Sequence, residues 1–335
     1  MFEKIIGNEK TKKLFEKSIK LETLSHSYIF LGEEGIGKKL FAKEIAKALL
    51  CLEENKYCNN CKSCIEFDTN NNPDYYLIEP DGNNIKIEQI REMQKKVLEK
   101  PIISKRKVYI INDSDKMTKE AQNCLLKTLE EPPKYVTIIL IGSNESAFLS
   151  TIKSRCTIIN FEKISIEEIQ KYMKENYDFE FQNQNILKAT EGSINKAIEI
   201  YEKKEKYEEI YELMINIKNI DIIETLKKAK IIYESKEDIN KILDYINIIM
   251  LEQAKTDYRY TNCIQIVENT KKRLKSNTNY DMSIDNMILH IKEEINWSFL
   301  GRSKKGSPKK KKTKRKKQKE KTKRKTKNKK DKRKK

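Results

Sequence analysis

No stretch of this 335-residue chain approaches the about eighteen consecutive apolar residues that a membrane-crossing helix needs. The opening MFEKIIGNEKTKKLFEKSIK also lacks an apolar core of signal-peptide length, so a cytoplasmic location and no membrane contact are expected. Without an export signal, the seven cysteines do not read as a disulfide framework. A net positive charge is missing from the body of the chain as well. Residues 302–335 hold 23 lysines or arginines against two acids, a charge of +21, so the formal total of +19 leaves −2 for residues 1–301. A near-neutral body is not the footprint of a nucleic-acid binder. The tail itself has no aromatic residue, which excludes base stacking as its mode of contact.

What is present is a chain long enough for two or three domains, 37% hydrophobic, with a mean hydropathy of −0.78. Helical spacing of Ile, Leu and Phe among Lys and Glu predicts an amphipathic helix over 3–22. Short apolar runs predict strands at 27–31, 75–78, 107–111 and 136–141, with helices over 39–50, 85–98 and 121–129 between them. Pro132-Pro133 stops the last of these helices. Strands apolar throughout and alternating with helices imply a parallel sheet covered on both faces, an α/β domain ending near Phe161. Beyond it the pattern is helical to about residue 300. Residues 301–335 cannot bury a core and are expected to be disordered.

The first predicted strand runs into Gly32-Glu33-Glu34-Gly35-Ile36-Gly37-Lys38, the G-x-x-x-x-G-K spacing of a phosphate loop, and a helix follows. In that setting Gly32, Gly35 and Gly37 let backbone N–H groups converge on an anion, and Lys38 reaches the terminal phosphates. Two residues break the pattern. The hydroxyl that holds Mg²⁺ should follow Lys38, and Lys39 stands there. An acid should end the third strand, and Asn112 stands there, followed by Asp113. Hydrolysis of ATP is therefore not expected; ATP or ADP bound without turnover, and a loop kept only as scaffold, both remain open.

Cys51, Cys58, Cys61 and Cys64 fall within fourteen residues and supply the four thiolates of a closed tetrahedral Zn²⁺ site. Polar residues between them do not suit four separately buried cysteines. A closed site has no open position for water, so the zinc is expected to be structural. Cys124, Cys156 and Cys263 read as small buried apolar residues.

These features join a set of short stretches: Ser25-His26-Ser27-Tyr28-Ile29-Phe30, Asn72-Pro73-Asp74, Ile85-Lys86-Ile87-Glu88-Gln89-Ile90-Arg91, Asp113-Ser114-Asp115-Lys116-Met117, Leu125-Leu126-Lys127-Thr128-Leu129-Glu130-Glu131-Pro132 and Ser154-Arg155-Cys156. Together they resemble the delta-prime subunits of the bacterial DNA polymerase III clamp loader, strongly over residues 1–200 and weakly beyond. The resemblance implies an AAA+ P-loop domain over 1–161 with an embedded zinc module at 51–64, and a small helical lid over 162–203. It further implies a C-terminal helical collar over 204–300 that joins a ring with delta and gamma/tau type subunits, followed by the basic tail. It implies that Arg155, within Ser154-Arg155-Cys156, is an arginine finger acting on a neighbour's ATP. The physical logic is that a guanidinium delivered in trans neutralises charge developing on the γ-phosphate. Related ATPases carry a sensing arginine in the lid where this chain has Lys196, a cation without the planar fork.

Three functions compete on the sequence. The first is a stator of the clamp loader, helping to load the sliding clamp on primer-template DNA. The second is a hydrolysing gamma/tau type subunit, which needs a hydroxyl at 39 and an acid at 112. The third is a zinc-dependent DNA-binding protein with an incidental P-loop fold, which the near-neutral body disfavours. The tail has a composition suited to DNA phosphates, and equally reads as an appendage without a dedicated partner.

Overall fold

The computed structural model describes residues 1–3, 5–54, 57–276 and 278–296. The basic tail expected over 301–335 lies outside the described residues. Five strands form one sheet: β1 (Ser27–Leu31), β2 (Tyr75–Ile78), β3 (Lys107–Ile111), β4 (Val136–Gly142) and β5 (Thr157–Asn160). The order across the sheet is β2-β3-β4-β1-β5, and every pairing is parallel. Ser27 stands opposite Ile138 on one side of β1, and Tyr28 opposite Thr157 on the other.

The central strands β1, β3 and β4 are buried at every residue, as their unbroken apolar sequences require. Their side chains divide by the twofold period of a strand. Tyr28, Phe30, Val108, Ile110, Ile139 and Ile141 enter one core; Ile29, Leu31, Tyr109, Ile111, Ile138 and Leu140 enter the other. Helices α1 (Glu9–Lys20) and α2 (Lys38–Leu50) cover the first face through Phe15, Phe41 and Ile45. A short α3 (Lys62–Asp68) lies in the cysteine segment. Helices α4 (Ile87–Val97) and α5 (Lys119–Glu130) cover the second face through Ile90, Met93 and Leu125.

The sequence pattern misses β5 and overextends α1. β5 is a short edge strand, exposed at Thr157 and Asn160, and so shows no continuous apolar run. α1 starts at Glu9 instead of residue 3. Asn8 adopts a left-handed conformation (φ 55°), and its side chain exchanges hydrogen bonds with the backbone N–H and C=O of Glu162. The preceding Phe2 is buried and stacks on Phe41, ring centroids 4.5 Å apart.

A four-residue α6 (Ser150–Lys153) leads into β5, and α7 (Ile166–Tyr177), α8 (Gln184–Lys188) and α9 (Ile194–Glu202) make up the segment expected as a lid. Helices Lys204–Asn216, Ile239–Ala254, Arg259–Lys275 and Tyr280–Asn296 dominate the rest. A single hydrophobic cluster runs from Ile164 and Ile169 through Tyr207 and Tyr245 to Ile291 and Ile295. At 203/204, the boundary expected between lid and collar, Lys203 ends α9 and precedes the next helix. Among the described residues no helix is long and apolar enough to cross a membrane.

Candidate functional site

β1 delivers the chain to the sheet's C-terminal edge, where the glycine loop turns it into α2. Gly35 (φ 78°) and Gly37 (φ 95°) have the left-handed conformations that side chains disfavour. At Gly35 a Cβ would also run into Ser193 Oγ, whereas at Gly37 it would meet nothing within 4 Å. One glycine lets the turn before α9 press on the loop, and the other borders open space. That space is a cavity of about 670 Å³ between the loop, Asn112, Asp113 and Ser143 on one side and Tyr172, Ile194, Asn195 and Ile198 on the other.

Lys38 is buried and folds back on the loop, its Nζ donating to Gly32 O at 2.5 Å and Glu33 O at 2.6 Å. Burial lowers its pKa, and Glu34, Asp115 and Asp113 act against that. Lys39 Nζ lies 2.7 Å from Glu79 Oε1, and Asn112 Nδ2 approaches the same oxygen at 3.4 Å. The hydrogen bond from Lys39 holds the Glu79 carboxyl below its usual range. Asp113 pairs with Lys116 at 3.0 Å. Asp115 accepts from Ser143 N, Ser143 Oγ and Asn144 N at 3.0–3.1 Å, fixing the turn after β4. Of the expected nucleotide-contacting residues, Gly35, Gly37, Lys38, Lys39, Asn112 and Asp113 line this cavity, and Gly32 sits behind it as an acceptor for Lys38. Lys196 is not brought to it. Its Nζ pairs with Glu191, and its neighbours Ile194 and Asn195 are the residues that line the cavity. Sequence reasoning missed Glu79, whose one signal was its position directly after β2, and Lys43, which also lines the cavity.

Ser154, Arg155 and Cys156 lie away from this cavity, in the turn between α6 and β5. Arg155 Nη1 donates to Thr151 O at 2.9 Å and Ser154 Oγ at 3.2 Å, and Nη2 pairs with Glu130 Oε1 at 2.6 Å. The guanidinium is held at the surface and one third exposed. Cys156 is half-buried, and burial pushes its thiol up to about 11.

The cysteine segment brings its four Sγ atoms within 4.8 Å of one another. Cys51 caps the end of α2, Cys58 and Cys61 flank a turn, and Cys64 lies in the first turn of α3. Cys51 and Cys58 sulfurs are 3.5 Å apart, and Cys58 and Cys64 3.9 Å. A tetrahedron with metal–sulfur bonds of about 2.3 Å has edges of about 3.8 Å, so the cluster can hold a metal ion. An amide from Asn60 lowers Cys58 to about 7, and burial raises Cys64. A bound divalent ion would keep all four as thiolates. Cys263 is buried as expected, whereas Cys124 is only half-buried and donates to Gln94 Oε1 at 3.1 Å.

Asn72-Pro73-Asp74 stitches this module to the sheet. Asn72 Nδ2 donates to Ser63 O and Oγ, Ser63 Oγ meets Ser104 Oγ at 3.0 Å, and Ser104 Oγ donates to Leu50 O. Asp74 accepts the backbone N–H groups of Ile102, Ile103 and Ser104.

Residues 7–165 match the family described as "DNA polymerase III, delta subunit". Over 313 residues the chain is 29% identical to DNA polymerase III subunit delta' of Bacillus subtilis, covering 84% of this chain and 95% of that protein. It is 37% identical over 175 residues to the gamma/tau subunit of Mycoplasma pneumoniae, covering 52% of this chain but only 26% of that longer protein. A gamma subunit-related protein from Thermotoga maritima superimposes with a TM-score of 0.47 at 19% identity, covering 84% of this chain and 99% of that one.

Proposed function

We infer that this chain, a homologue of the DNA polymerase III delta' and gamma/tau subunits and a clamp-loader subunit of DNA replication, works as a stator. It supports its ring neighbours and lends Arg155 to the ATP site of the next subunit, without turning over ATP itself. The observation that carries this reading is the Lys39–Glu79 ion pair beside Asn112. A covalently tethered ammonium and a neutral amide stand at the two positions that organise Mg²⁺ in hydrolysing relatives of the fold. The hydroxyl and the acid that a gamma/tau type ATPase needs at 39 and 112 are both missing.

Arg155 suits the task because it is surface-held, lies outside the chain's own phosphate-loop cavity, and carries its fork on the short turn between α6 and β5. The four-cysteine cluster is a structural zinc site, since four thiolates leave no coordination position for substrate. The partners are delta and gamma/tau type subunits, with the sliding clamp and primer-template DNA contacted through the ring, in the cytoplasm. The lysine-rich residues 302–335 add a salt-sensitive hold on DNA phosphates. Removing them should abolish DNA binding by the isolated chain at low salt.

The test is reconstitution with delta and gamma/tau type partners, followed by native mass spectrometry and an ATPase assay. The stator reading expects one copy of this chain in the ring, one zinc, and negligible hydrolysis by the chain alone. Brisk hydrolysis by the isolated chain that disappears in Lys38→Ala would overturn it.

A further inference from the structure

The phosphate loop has kept its anion-binding half and lost its metal-binding half, and the two facts have a joint consequence. Mg²⁺ does not fit this site. Lys39 puts a cation without a lone pair where a hydroxyl would hold the metal, and Asn112 puts a neutral amide where a carboxylate would bring charge. Yet the anion cradle is intact: Gly35 and Gly37 keep their left-handed turns, and beside Gly37 the space is open.

The cavity also carries the charge to replace a metal. Lys38, Lys39, Lys43 and Lys116 line it against Glu34 and Asp113, and with Glu79 on Lys39 the balance is four cations to three anions. Glu79 engages Lys39 through one oxygen at 2.7 Å, and an ammonium has three donors, so that bond uses one of them and leaves two. At its other end the cavity is apolar, bounded by Ile5, Ile6, Tyr172 and Ile198, a surface that suits a flat heterocycle.

We propose that this cavity binds a nucleoside di- or triphosphate as the metal-free anion, with the Lys39 ammonium in the place of Mg²⁺ and Glu79 holding that ammonium in position. The bound nucleotide is a fixture bridging the loop and the α7–α9 segment, not a substrate. The proposal concerns this chain's own loop and stands apart from the stator assignment: a chain that bound no nucleotide could still assemble and present Arg155.

The test is a fluorescence titration of the full chain with mant-ADP and mant-ATP, in excess Mg²⁺ and in excess EDTA. Expected is saturable binding whose Kd agrees between the two buffers within about twofold, because the cation is supplied by the protein. Lys39→Ala should weaken binding about tenfold or more in both buffers, the loss of a charge-assisted hydrogen bond. Lys39→Arg should retain most of it. Lys39 is partly exposed, so these variants should melt like the parent without nucleotide. Inorganic tripolyphosphate should displace mant-ADP less effectively than unlabelled ADP. Absence of saturable binding, a loss of tenfold or more in EDTA, or a Lys39→Ala variant that binds like the parent would each overturn the proposal. Equal potency of tripolyphosphate would overturn its nucleoside part.

Discussion

Arg155 is latched to its own chain by Glu130: Nη2 and Oε1 are 2.6 Å apart, joining the turn before β5 to the last residue of α5. Both side chains are substantially exposed, so the pair adds at most about 1 kcal/mol to stability. Its use is geometric. It fixes the direction of a fork that would otherwise sweep through solvent, and it leaves Nη1 tied to Thr151 O in the same turn.

Arg155→Ala should therefore leave the isolated chain folded, with a thermal midpoint within about 4 °C of the parent. In the reconstituted ring the same substitution should slow the ATP site it serves by about 10³-fold, the lower end for a lost arginine finger, with the ring intact by native mass spectrometry. Arg155→Lys should recover little, since an ammonium lacks the planar fork. Unchanged ring ATPase and clamp loading in Arg155→Ala would show that the residue is an ordinary surface partner of Glu130.

The cysteine cluster makes a stoichiometric prediction. Elemental analysis should find one zinc per chain, and Cys58→Ser or prolonged chelation should remove it. Because the module ties the end of α2 to α3, metal loss should lower the thermal midpoint by about 5–10 °C, a few kcal/mol. Protease cleavage should then appear within residues 51–68. A metal-free chain with unaltered melting would remove the structural role.

Much of this architecture is legible in the sequence. Strands β1, β2 and β3 begin and end at the expected residues because each is a short apolar run closed by charged or turn-forming residues. β5 was hidden because an edge strand with exposed ends has no apolar signature, and α1 was overextended because Ile5 continues the apolar pattern while packing in an irregular segment. The site divides in the same way. Residues defined by local spacing, such as Gly35, Gly37, Lys38 and the four cysteines, could be placed from sequence. A partnership across the fold could not, since Glu79 is 40 residues from Lys39. Nothing local encodes a tertiary ion pair.

Lys292 shows a second such partnership, within the C-terminal core. Nearly buried, it donates to Ile217 O at 2.7 Å and also to Ile220 O, satisfying carbonyls that follow the helix Lys204–Asn216. Lys292→Met keeps the length of the side chain and removes the donor. Leaving those carbonyls unpaired should cost about 1–3 kcal/mol, read as an earlier denaturation midpoint. A midpoint equal to the parent's would mean that water replaces the ammonium at no cost.

The Asn72-Pro73-Asp74 segment gives the sharpest stability test, because Asp74 is fully buried and its carboxylate is the sole described acceptor for three consecutive backbone N–H groups. Oδ1 takes Ile102 N at 2.7 Å, while Oδ2 takes Ile103 N at 2.8 Å and Ser104 N at 2.7 Å. Asp74→Asn is nearly isosteric, yet whichever way its amide turns, an NH₂ group faces at least one backbone N–H. Each lost bond to a charged acceptor is worth about 1.5–3 kcal/mol, so a total near 3 kcal/mol and a thermal midpoint lower by about 6–12 °C are expected. The damage should spread to the cysteine module, because Ser104, once loosened, is the residue that contacts Ser63 Oγ and Leu50 O. Zinc should therefore leave Asp74→Asn faster than the parent in a chelator competition. Asp74→Asn melting and losing zinc like the parent would mean that the loop after α4 is held by its apolar contacts alone, and that the motif has some other purpose.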